Sequence, residues 1–146
     1  MSKPNKTILF IEDEEIHYNQ VAAYLKQQGY ECQCLGIERF RDVRQEALKH
    51  QPVAAVVDCV LLSTTPQPKT DEEHYGVKSI PILREVCPGI KILLYTQLAD
   101  RDQASRQAGF CRAHAGLPKQ LDPHKSGYLL ESNAHEIADK VRDLIK

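Results

Sequence analysis

The feature that most constrains this chain is the way its apolar residues change period. Short continuous apolar runs alternate with stretches where apolar side chains recur every three to four residues, the mark of strands and helices taking turns around a parallel sheet. Thr7-Ile8-Leu9-Phe10-Ile11 reads as a buried first strand, and Glu14 to Gln28 as a helix with Ile16, Val21, Tyr24 and Leu25 on one stripe and Gly29 as its stop. Tyr30 to Leu35 is the second strand, and Phe40, Val43, Ala47 and Leu48 mark the second helix. Val53 to Val57 lacks polar alternation, as a central strand covered on both faces should. The next helix, reaching about Val86, contains Pro81, and a late start with Ser79 as N-cap and Pro81 in the first turn is preferred to a kink. Ile90 to Tyr95 is the fourth strand, Asp100 to Ala108 a short helix stopped by Gly109, and Gly127 to Leu130 the fifth strand. Ile137, Val141, Leu144 and Ile145 line a closing helix that Asn133 and Glu136 can cap as a box.

Five such units in 146 residues predict a single α/β domain over residues 1–146, a three-layer, doubly wound parallel sheet in the flavodoxin-like order 2-1-3-4-5. Two irregular insertions interrupt it, at about 63–75 and 111–126. The first leaves the third strand just beyond Asp58 and is placed to gate a pocket there or to contact a partner, though a tolerated surface insertion explains it equally well.

With 19 basic residues against 20 acidic ones, the chain carries no basic stripe of the kind that tracks nucleic acid. No run approaches the roughly 20 apolar residues of a membrane span, and no signal-peptide pattern opens the chain, which points to the cytoplasm. Cys32, Cys34, Cys59, Cys87 and Cys111 are odd in number and sit mostly in or beside apolar runs. They read as core thiols, the Cys32-Gln33-Cys34 pair included. The six histidines show no metal-binding helical pair.

The order 2-1-3-4-5 opens a crevice at the carboxyl ends of strands 1 and 3. Strand 1 runs into Glu12-Asp13 and strand 3 into Asp58, so three carboxylates are expected to converge. Crowded like charges must take up protons or share a cation. A hard ion such as Mg2+ suits a few carboxylate oxygens with waters and leaves room for a phosphate. Thr96, after strand 4, offers a hydroxyl at the same edge.

The segments Ile8 to Glu14, Val56-Val57-Asp58, Ile92 to Thr96, Gln107-Ala108-Gly109-Phe110 and Gly127-Tyr128-Leu129-Leu130 together resemble the receiver domain of two-component response regulators. The resemblance implies transfer of a phosphoryl group from the phosphohistidine of a sensor histidine kinase, or from a phosphotransfer protein, to Asp58. It implies Mg2+ held by Glu12, Asp13, Asp58 and the Val60 carbonyl, Thr96 closing on the phosphoryl group, and Tyr128 as an aromatic switch. Phosphoryl transfer asks mainly for positioning and charge neutralisation, which a carboxylate nucleophile and one cation can supply.

One position departs from the family. Receiver domains carry a lysine three residues after the switch aromatic, and Glu131 stands there. In one frame strand 5 ends at Leu117-Pro118-Lys119, giving Lys119 the role but putting Gly116 where the aromatic belongs. In the other, preferred because the last helix then follows at the normal distance, Gly127 to Leu130 stays strand 5 and the pocket lacks the lysine or recruits Lys119 or Lys125. The expected function is a single-domain response regulator, not an enzyme, that signals by docking a downstream protein target. The chain ends after the last helix, so no direct DNA binding is expected, and the altered face beside strand 5 is where such domains pair as homodimers. The alternative is a pseudo-receiver acting as a phosphorylation-independent interaction module because of Glu131. A Mg2+-dependent phosphohydrolase would need a second acid where Val60 stands.

Overall fold

The computed structural model describes residues 6–12, 14–35, 42–60, 71–97 and 100–146. Strands and helices alternate as β1 (Thr7–Ile11), α1 (Glu15–Gln27), β2 (Glu31–Leu35), α2 (Val43–His50), β3 (Ala54–Val60), α3 (Asp71–Val86), β4 (Lys91–Gln97), α4 (Arg101–Cys111), β5 (Ala115–Pro118) and α5 (Glu131–Ile145). The strands pair in parallel in the order β2-β1-β3-β4-β5, as the sequence predicts. No helix among the described residues is long and apolar enough to cross a membrane.

Because successive strand side chains point to opposite faces, each strand feeds two cores. Ile8, Phe10, Val56, Leu93, Tyr95 and Leu117 pack under α1 and α5, whereas Leu9, Ile11, Val57, Ile92 and Leu94 pack under α2, α3 and α4.

Several elements depart from the sequence reading. The fifth strand is Ala115–Pro118, inside the stretch read as an irregular insertion. It is a short edge strand without β-branched residues, where a terminal proline is tolerated because no neighbour needs its N–H. Gly116 lets α4 press onto it: a Cβ there would lie 2.1 Å from the Ala104 carbonyl oxygen. Gly127 to Leu130 belongs instead to the connection into α5, where Leu121 and Leu129 form one antiparallel bridge. Gln20 of α1 grips the Leu129 backbone, donating to its carbonyl at 2.9 Å and accepting from its N–H at 2.8 Å.

Helix α3 begins at Asp71 and carries Pro81 in its interior rather than in a first turn. An internal proline costs about 3 kcal/mol. Fully burying Ile80 and Leu83 offsets this, at about 1.5–3 kcal/mol each. On α1 the buried stripe is His17, Val21, Ala22 and Leu25, and Ile16, expected on it, is exposed. On α2 Leu48 is exposed while Val43 and Ala47 are buried; Phe40 lies outside the described residues. Helix α4 has Asp100 as its N-cap and runs past Gly109 to Cys111. Asn133 and Glu136 form no capping box on α5, because the helix starts at Glu131 with Leu130 as its cap. The Asn133 amide instead donates to the Pro118 carbonyl at 2.9 Å, and its oxygen accepts the Gln120 N–H at 3.0 Å, tying α5 to the end of β5.

Candidate functional site

Strand parity builds the site. Ile11, Val57, Leu94 and Gly116 form one row across the sheet, and in the next row Asp58 pairs with Tyr95 and Tyr95 with Leu117. Glu12 extends β1 into that row, its N–H donating to the Leu35 carbonyl at 2.8 Å. Lys119 follows β5 two residues after Leu117, so it returns to the same face. The Lys119 N–H donates to the Thr96 carbonyl at 2.8 Å, which holds the lysine at the end of β4. His17, four residues before Val21 on the buried stripe of α1, is delivered from the helix above.

These side chains meet on the Lys119 ammonium. Its Nζ lies 2.9 Å from Glu12 Oε2, 3.3 Å from Asp58 Oδ1 and 3.0 Å from His17 Nδ1. It also stands 4.6 Å from the centre of the Tyr95 ring. The Lys119 and Glu12 side chains are sealed from solvent, while Asp58 keeps 9% of its side-chain surface exposed. Glu12 accepts three hydrogen bonds: Oε1 takes the Glu14 N–H at 2.9 Å, and Oε2 takes the Tyr95 hydroxyl as well as Lys119.

Two carboxyl groups face one ammonium, so ionising both would leave a surplus negative charge with little water, which is costly without a further cation. Burial drives the Glu12 carboxyl above its usual range, opposed by Lys119, the Tyr95 hydroxyl and the Glu14 N–H. Burial, then the Glu12 and Asp58 charges, push the Tyr95 hydroxyl well above its ordinary value. Tyr95 therefore stays a hydrogen-bond donor.

Asp58 is the carboxylate of the cluster that reaches the surface, and Val60 ends β3 two residues further on; carboxylate and carbonyl oxygens are the donor types that a hard cation takes. Glu12 accepts three hydrogen bonds, which leaves one lone pair, on Oε1, for a cation. Asp13 lies outside the described residues, and no group of three metal-ligating His, Cys, Asp or Glu side chains assembles among those described.

Thr96 is fully buried in β4, paired with Cys59 one step beyond the Asp58–Tyr95 pair. Tyr128, expected in strand 5, lies in the β5–α5 connection with Lys125 Nζ 3.9 Å above its ring. Glu131, expected at the lysine position, opens α5 and accepts the Tyr24 hydroxyl. Lys119 directly follows β5, and Gly116 stands three residues before it, where the resemblance would then put the switch aromatic. Sequence reasoning missed His17 and Tyr95. The signal for Tyr95 was parity, two residues after inward-facing Leu93; that for His17 was its spacing from Val21 and Leu25.

No protein-family model matches the sequence, and no curated protein matches it. Among solved structures the chain is similar to a signal receiver domain from Vibrio parahaemolyticus (16% identity, 97% of this chain and 91% of that one, TM-score 0.65). It is also similar to the BeF3-activated N-terminal receiver domain of RstA from Klebsiella pneumoniae (18% identity, 96% and 98%, TM-score 0.61). A third is a response regulator protein from Burkholderia pseudomallei with a phosphorylated aspartic acid, a calcium ion and citrate (24% identity, 94% and 74%, TM-score 0.52). The chain has the receiver-domain fold.

Proposed function

We propose that this chain is a phosphoacceptor of the receiver type, with Asp58 as the acceptor and its output carried by binding to another protein. The observation that carries the reading is the buried Lys119 ammonium, 3.3 Å from Asp58 Oδ1 at the carboxyl edge of a 2-1-3-4-5 sheet. An Asp58 oxygen attacks the phosphorus of a phosphohistidine on a sensor histidine kinase or phosphotransfer protein. The P–O bond forms as the P–N bond breaks, and its electron pair leaves on the imidazole nitrogen. Lys119 then pairs with the charge on the phosphoryl oxygens, which a fixed ammonium stabilises without reorganisation, and Thr96 contributes its hydroxyl. Mg2+ would be held by Asp58 and the Val60 carbonyl, with Asp13 assigned from sequence alone; when bound it neutralises charge on the transferred group. Glu12 serves as the counter-charge that fixes Lys119. The cytoplasm is the proposed location, where such partners reside.

Acetyl phosphate with Mg2+ should add the mass of one phosphoryl group to the intact protein, and Asp58→Asn should abolish the gain. Equal labelling of that variant would sink the assignment. Lys119 rather than Glu131 directly follows β5, which supports the phosphoacceptor reading over a pseudo-receiver. A different observation favours that second reading, the three hydrogen bonds that Glu12 already accepts. Calorimetric titration with Mg2+ separates the two, since a phosphorylation-independent interaction module has no need of the ion.

A further inference from the structure

We infer that His17 is a positioning residue of this pocket, holding the Lys119 ammonium from α1 so that the state of Asp58 is read out at α1 and not at the α4–β5 edge. The inference rests on Asp58 being the acceptor.

An ammonium has three N–H donors, and Lys119 has three acceptors among the described residues: Glu12 Oε2, His17 Nδ1 and Asp58 Oδ1, at 2.9, 3.0 and 3.3 Å. Since an ammonium only donates, His17 Nδ1 presents its lone pair and the ring proton sits on Nε2. The three acceptors are not equal. Glu12 is charged when ionised and is itself locked by Tyr95 and the Glu14 N–H. His17 is neutral, and hydrogen bonds between charged partners are roughly twice as strong as neutral ones. When a phosphoryl group is added to Asp58, new negative oxygens appear beyond Oδ1 and the ammonium follows them. The bond it gives up first is the one to His17.

What responds depends on which neighbour can move. At the β5 edge the strand is pressed against α4, where a Cβ on Gly116 would collide with the Ala104 carbonyl at 2.1 Å. That position has no side chain to change rotamer. His17 lies in the first turn of α1, 3% exposed. One turn further along, Gln20 holds both backbone groups of Leu129, so a shift of α1 is passed directly to the β5–α5 connection.

The test is nitrogen NMR of the histidine-labelled full chain, resting and after loading with beryllium fluoride and Mg2+, with acetyl phosphate labelling and intact mass run in parallel. The resting protein should show His17 unprotonated at Nδ1. Loading should shift that resonance and move the amides of α1 and residues 121–130 more than those of α4. His17→Leu removes the acceptor and should slow phosphorylation on the order of tenfold, the usual scale for a supporting contact around a site. His17→Asn returns an acceptor near the Nδ1 place and should recover most of that loss. A labelled protein whose His17 ring stays unmoved while α4 shifts overturns this inference and leaves Asp58 as the acceptor. A wild type that gains no phosphoryl mass overturns both. The wild-type spectra decide the matter if His17→Leu does not fold.

Discussion

Under α2, α3 and α4 the strands stay apolar to the row Ile11, Val57 and Leu94, all buried. One residue further along the same strands, the face under α1 and α5 ends in Glu12, Asp58 and Tyr95, with Lys119 and His17 closing over them. Both ends are largely dry, but they hold together by different physics. An apolar row gains about 25 cal/mol for each Å2 removed from water, whichever neighbour removes it. A buried polar cluster gains only while every member keeps its partner, and losing one leaves the rest desolvated. The apolar face tolerates repacking; the polar face is a set of conditional bonds, and conditional bonds are what an added charge can rearrange.

The sharpest way to break that contrast is to remove the shared cation. Lys119→Met keeps the apolar stem of the side chain and deletes its charged end, leaving Glu12 and Asp58 without their shared cation and Glu12 out of reach of water. Breaking a buried ion pair from one side costs about 3–5 kcal/mol, and urea unfolding should show a loss of that order. Adding Glu12→Gln to Lys119→Met should recover part of it, since one buried charge then has no need of a partner. A neutral single variant would mean that water already reaches the cluster, and the two faces would not differ as described.

A smaller effect is expected where the apolar face meets the edge strand. Gly116→Ala places a methyl against the Ala104 carbonyl, which cannot rotate away as a side-chain tip would. Overpacking of this kind costs typically about 1–3 kcal/mol. The same urea experiment measures it, and phosphorylation by acetyl phosphate should persist because Gly116 is not in the polar row.

Gly116 also explains why β5 was hard to find in the sequence. A glycine and a proline in four residues carry no strand signal, and the reason for the glycine is the approach of α4, which local pattern cannot reveal. Glu12 and Asp58 were legible because a carboxylate ending an apolar run stands out against its neighbours. Lys119 was legible only as one of two frames, since its role depends on which segment closes the sheet. His17 was hidden by a rotation of one residue, about 100° around a helix, because Ile16 is the more apolar of the two and was given the inward position. The start of α3 was missed because residues 71–77 are mostly polar and Pro81 follows them; tertiary packing of Ile80 and Leu83 decides that helix, and propensity does not.

The smallest effect lies at the other end of the sheet, where a polar group is paired but wet. His114 precedes β5 and is exposed, its ring Nδ1 accepting the Ile92 N–H at 3.0 Å while its backbone N–H donates to the Ile92 carbonyl at 2.8 Å. Protonating Nδ1 would set donor against donor. Partial burial, then the nearby Lys91 and Arg84 charges, hold the imidazole below its ordinary value of 6.5. A base whose folded pKa is depressed binds its proton more readily when unfolded, so its contribution is complete above the unfolded value and is lost as pH falls through the folded one. The urea midpoint of the wild type should therefore fall more steeply between about pH 7 and pH 5 than that of His114→Asn, whose amide oxygen keeps the acceptor without titrating. The difference should be small beside that of Lys119→Met, because water reaches the His114 ring and cannot reach Glu12. Parallel pH profiles for the two proteins would show that His114 has no part in the edge, and a difference as large as the lysine's would show that burial is not what separates the two ends.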